Sequence, residues 1–135
     1  MSSTVSARTV PPAASPARIT LAVVLAAVVA AIVNTLIGLL VGVIAGTGYN
    51  PTTAITYSVI GVLIGFVGWV LIRRFAPRPA AVLRWVVPLV VVLSFIPDLY
   101  LLTFGMSVLL VVALMIMHVV VAAVAVPAFR RVLPV

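Results

Sequence analysis

Asp98 is the only acidic residue in a chain of 135, and His118 is its only histidine. Both fall inside stretches that are otherwise apolar. A carboxyl and an imidazole in such surroundings can exchange a proton near physiological pH, which makes them a candidate proton-linked or ligand-binding site. Asn34 and Ser94 are placed to join them. The same four side chains also read as a hydrogen-bonded cluster that fixes helix register, and this is the reading the residues favour. For Asp98 alone a third reading is exposure at the outer interface beside Tyr100. An enzyme would need a nucleophile, a base and an electrophile converging on a pocket, and the chain offers only Asp98, His118 and scattered hydroxyls, so no enzymatic activity is expected. One histidine and one carboxylate fall short of a metal or haem ligand set unless a second subunit contributes, and Met106, Met115 and Met117 read as packing residues. The absence of cysteine excludes thiol chemistry. No cofactor is expected.

The elements that must position these residues follow from the arginines. Arg8 and Arg18 precede the first apolar stretch, Arg73, Arg74, Arg78 and Arg84 separate the second from the third, and Arg130 and Arg131 follow the fourth. The other two connections carry no basic residue. Since basic residues are retained on the cytoplasmic side, the alternation predicts an all-α polytopic membrane protein with four spans in two antiparallel hairpins and both termini inside. Four spans of about 20 residues use up most of the chain, which leaves no room for a separate soluble domain. Nucleic-acid binding would want arginines gathered on one folded face, whereas these sit at span ends. There Arg73, Arg74, Arg78, Arg84, Arg130 and Arg131 can meet anionic lipid headgroups. The expected partners are therefore the bilayer, a homo-oligomer or another membrane protein, and no nucleic acid.

Residues 1–18, rich in serine and proline, predict a disordered cytoplasmic tail. The spans are expected near 19–45, 54–72, 83–103 and 106–126. The first is longer than a cleavable signal segment, so it reads as retained, with cleavage after Ala45 as the alternative. Pro97 reads as a kink within the third span, because a helix stopping there would run only about 18 Å from Trp85 against a hydrocarbon core of about 30 Å. Trp69, Tyr49, Tyr57 and Trp85 suit interfacial belts. Ala27, Ala31, Asn34, Gly38 and Gly42 form a stripe of small residues on the first span, and Gly61, Gly65 and Gly68 form one on the second. Close packing of these two spans is the favoured use of the stripes, and a homo-oligomer contact is the competing one.

Two rulers give the depth of the polar residues. At 1.5 Å per residue from the flanking arginines, Asn34 lies about 24 Å, Asp98 about 21 Å and His118 about 18 Å into the membrane, which is one layer. Counting from a tight turn at Gly105 instead offsets Asp98 and His118 by about 9 Å. The turn is the tighter constraint, so His118 is expected a turn or more inward of Asp98, with Ser94 bridging them.

Three segments carry a resemblance: Ser94-Phe-Ile-Pro97-Asp98-Leu, Leu114-Met-Ile-Met117-His118-Val-Val and Pro127-Ala-Phe-Arg130-Arg131. Over roughly residues 19–131 the chain resembles a family of small four-helix integral membrane proteins of unknown function from high-GC Gram-positive bacteria. The resemblance implies four spans, a plasma-membrane location and no established activity; the family's Asp and His fall on Asp98 and His118 without an assigned role. The expected function is that of a non-enzymatic structural or accessory membrane protein. The alternative is a small proton-coupled transporter or channel using Asp98 and His118.

Overall fold

The computed structural model describes residues 10–135, and the expected tail therefore lies in part, Arg8 included, outside the described residues. Four helices follow in order: α1 (Pro16–Ala45), α2 (Pro51–Phe75), α3 (Pro79–Tyr100) and α4 (Val108–Val132), with a 3₁₀ turn at Leu101–Phe104 between the last two. All four are long and apolar enough to cross a membrane. Proline opens three of them, at Pro16, Pro51 and Pro79, where its missing N–H has no intrahelical partner to lose and its fixed φ suits the first turn. The Asn50 side chain caps α2 by accepting from the Thr52 amide at 3.0 Å. Gly46 ends α1 at φ 64°, with the Thr47 amide donating back to the Gly42 carbonyl at 2.9 Å, a closure that a residue without Cβ adopts freely.

Each helix reaches further at its arginine-bearing end than the expected spans. α1 begins at Pro16 rather than 19, α2 continues to Phe75, α3 begins at Pro79, and α4 runs through Pro127 to Val132. α3 likewise continues through Pro97. An internal proline removes one hydrogen bond without ending a helix that its neighbours support.

The helices are antiparallel in sequence order. α1 packs against α2 and α4, α4 also touches α2 and α3, and α3 makes no contact with α1 among the described residues. α3 is thus the peripheral helix, with only Pro79, Leu83 and Asp98 buried. The apolar core gathers in the arginine-bearing half, from Val23, Ala26, Ala27 and Ala30 to Val62, Trp69, Leu83, Ala125, Phe129 and Leu133. Phe129 is its centre. Its ring meets Phe66 and Trp69 edge to face, with centroids 5.7 and 5.9 Å away. Trp69 does not sit in an interfacial belt: it is only 2 % exposed, and its Nε1 donates to the Leu133 carbonyl at 3.0 Å. Tyr57 and Trp85 do face outward.

α1 and α2 pack together as expected, but the glycines of the two stripes are not what meets between them. A Cβ on Gly61 would meet Val121 at 3.4 Å and one on Gly65 would meet Phe129 at 3.7 Å, both side chains of α4, while one on Gly68 would meet nothing. On α1, Gly38 and Gly42 are covered by Tyr49, whose ring folds back from the α1–α2 connection into the space a Cβ at Gly38 would fill. Tyr49 is therefore half-buried against α1 rather than standing in the outer belt, and burial pushes its phenol above the ordinary tyrosine range. Ala27 and Ala31 of the same stripe are buried.

Candidate functional site

Four polar residues, one from each helix, share the half of the bundle away from the arginines. Asn34 of α1 is buried, and its Nδ2 donates to Ser58 Oγ of α2 at 2.9 Å and to the Met117 carbonyl of α4 at 3.3 Å. An amide nitrogen carries two hydrogens, so both bonds can stand together and one side chain ties three helices. Asn34 Oδ1 and the neighbouring Thr35 Oγ1 are buried without a hydrogen-bond partner.

One residue beyond Met117, His118 turns to α3. Its Nδ1 lies 3.1 Å from Asp98 Oδ2 and 2.9 Å from the Leu114 carbonyl one helical turn back. The carbonyl can only accept, so a bond to it requires the ring proton on Nδ1. A proton on Nδ1 serves either the Leu114 carbonyl or the Asp98 carboxylate, which lie at similar distances from it. The two partners differ in access: the Asp98 side chain is 9 % exposed and that of His118 40 %. Phe95, one turn before Asp98 on α3, packs edge to face on the imidazole with centroids 6.5 Å apart. The burial of Asp98 overturns the reading that placed it at the outer interface with Tyr100, whose ring is exposed and packs on Phe104 instead.

Ser94 does not bridge the pair. Its Oγ donates to the Val91 carbonyl of its own helix at 2.6 Å. The offset that would have brought Ser94 level with His118 fails because α3 ends at Tyr100 and the next four residues form a 3₁₀ turn. That turn rises about 2.0 Å per residue instead of 1.5 Å, which adds about 2 Å to the depth of Asp98, and α4 starts only at Val108, so the three residues Gly105–Ser107 add no helical depth to His118; together these remove more than half of the offset. The arginine ruler therefore placed the pair correctly. Applied to Ser58, fifteen residues before Arg73, it gives about 22 Å and assigns to the same layer the one member that sequence reasoning passed over. The four expected members thus divide into a direct Asp98–His118 contact, an Asn34 amide engaged with Ser58, and Ser94 apart. His118 and Asp98 supply two ligand types for a cation, and no third His, Cys, Asp or Glu joins them among the described residues.

A family model matches residues 11–135, nearly the whole chain. The chain belongs to DUF6069, a family of unknown function. No curated protein and no solved structure matches it. The four spans implied by the resemblance at residues 94–99, 114–120 and 127–131 agree with the four candidate spans of this DUF6069 chain.

The arginine-bearing end of this DUF6069 chain is closed by a clasp. Arg73 donates from Nε to the Pro134 carbonyl at 3.0 Å and from Nη2 to the Pro11 carbonyl at 2.6 Å. The Ala14 amide donates to the Val132 carbonyl at 2.8 Å. The segments flanking α1 and α4 thereby meet at the arginine-bearing end of α2, and residues 10–15 are tied down through the Pro11 carbonyl and the Ala14 amide. Arg74 and Arg84 lie against the rings of their neighbours Phe75 and Trp85, at 5.7 and 5.8 Å from the centroids. Arg78, Arg130 and Arg131 are exposed.

Proposed function

We propose that this chain is a structural or accessory protein of the bacterial plasma membrane, without enzymatic activity, whose intramembrane polar layer sets the register of its four helices. The observation that carries the reading is the Asn34 amide, which bonds to α2 and α4 at once. In lipid, polar bonds of this kind act as adhesive between helices that apolar burial cannot hold together. The arginines at the ends of α1, α2 and α4 and the start of α3 support placing that end, with both termini, on the cytoplasmic side. A source among high-GC Gram-positive bacteria is part of this reading, on the resemblance alone.

A second reading has its own observation. The half-exposed His118 beside the buried Asp98 makes a two-step proton path from the bundle surface to a carboxyl, which is what a small proton-coupled transporter or channel would use. The experiment separating them is a proton-flux assay on wild-type protein and Asp98→Asn in liposomes loaded with a pH-sensitive dye. The structural reading expects the same leak rate for both and for empty liposomes. A wild-type flux that Asp98→Asn abolishes while still folding would replace it with the transport reading.

A further inference from the structure

At the arginine-bearing end, a cavity of about 350 Å³ is lined by Val10, Val70, Arg73, Arg74 and Leu133. Three apolar residues and two arginines thus border one space. Arg73 is held in place by its bonds to the Pro11 and Pro134 carbonyls, which use two of its five N–H donors. Arg74 is exposed beside it. Neither has a carboxylate side chain to pair with, because the only acidic residue, Asp98, lies against His118 near the other end of α3. Neither guanidinium forms a salt bridge among the described residues.

We propose that this cavity binds the phosphate headgroup of an anionic lipid, with Arg73 and Arg74 donating to the phosphate oxygens and Val10, Val70 and Leu133 covering the apolar part next to it. A fixed guanidinium presents its donors in the fork that matches phosphate oxygens, and basic hollows between helices at the headgroup level are where such lipids are held. A free anion would gain nothing from the apolar walls. The proposal does not depend on which side of the membrane this end faces.

The test uses the full chain in phosphatidylcholine nanodiscs carrying a trace of phosphatidylglycerol, a composition with little surface potential, and reads bound phosphatidylglycerol by native mass spectrometry. Arg74→Gln should lower its retention about tenfold, as loss of one charge-assisted contact does. Arg78→Gln, which removes an equal charge outside the cavity, should change retention less than about threefold. Val70→Trp fills the cavity at constant charge and should also lower retention, provided helical circular dichroism matches wild type. Equal losses in Arg74→Gln and Arg78→Gln would overturn the site in favour of diffuse attraction. Displacement of the lipid by millimolar inorganic phosphate would overturn the lipid in favour of a free anion.

Discussion

His118 Nδ1 lies between two oxygens of different helices, the Leu114 carbonyl at 2.9 Å and Asp98 Oδ2 at 3.1 Å. Asp98 is thus a buried carboxyl paired with His118 at ion-pair distance. Asp98→Asn retains most of the hydrogen-bonding capacity and removes the insertion cost of an acidic residue, which is about 2.5–3.5 kcal/mol at mid-helix and less at this position near the end of α3. Its thermal midpoint in detergent should equal or exceed that of wild type. His118→Ala takes away the imidazole paired with the buried Asp98 and should lower stability by about 1–3 kcal/mol. A destabilised Asp98→Asn with a stable His118→Ala would reverse this account of the pair.

The glycines of α2 are predicted to respond in order of what faces them. Gly65→Leu pushes into Phe129, the centre of the aromatic core, and should destabilise the monomer by about 1–3 kcal/mol. Gly68→Ala meets open space and should be neutral or stabilising by up to about 1 kcal/mol, since alanine is the better helix former. Detergent unfolding of the two variants side by side measures both. If Gly68→Ala were the more damaging, the stripe would belong to a contact with a second copy.

Tyr49 gives a spectroscopic test of the connection. In a background with Tyr57 and Tyr100 changed to Phe, its absorbance should titrate above the free tyrosine value of about 10. Because the folded value is the higher one, the unfolded chain loses its proton first. The stability this ring contributes is then complete below pH about 10 and is lost as pH rises through the folded value. Gly38→Ala displaces the ring from α1 and should return the titration toward about 10. An unchanged titration in Gly38→Ala would mean that the ring is buried elsewhere.

Topology is tested by labelling intact cells with an impermeant thiol reagent, the chain itself containing no cysteine. Thr52→Cys, in the first turn of α2, should react, and Arg78→Cys, between α2 and α3, should not. The opposite pattern would invert the membrane orientation.

The four helices were legible because apolar length and arginine placement are properties of single segments. The depth of the polar layer is carried by the distances of Asn34, Asp98 and His118 from the arginines of their own spans, but the competing count from Gly105 is the one the sequence favours, and it obscures that layer. What could not be read were relations between segments. Whether Gly61 and Gly65 face α1 or α4 depends on helix rotation, which a small-residue stripe does not encode. Gly38 reads as a helix contact until Tyr49, eleven residues on, is seen folded over it. A Ser94 bridge fails because the count from Gly105 takes 101–107 as helix, whereas Leu101–Phe104 is 3₁₀ and α4 starts only at Val108. Trp69 was misjudged because an indole near a span end serves an interface or a core equally well, and only the arrival of Phe129 and the Leu133 carbonyl decides which.

The central claim is that the polar residues within the bundle hold the helices to one another, and a double-mutant cycle on Asn34 and Ser58 tests it most directly. Unfolding free energies of wild type, Asn34→Ala, Ser58→Ala and the double variant in the same detergent give the coupling across the 2.9 Å bond. The account predicts a favourable coupling of about 0.6 kcal/mol, and not above about 1.7 kcal/mol, the range found for hydrogen bonds between membrane helices. Strictly additive single effects would contradict it and leave the layer without a role in helix register.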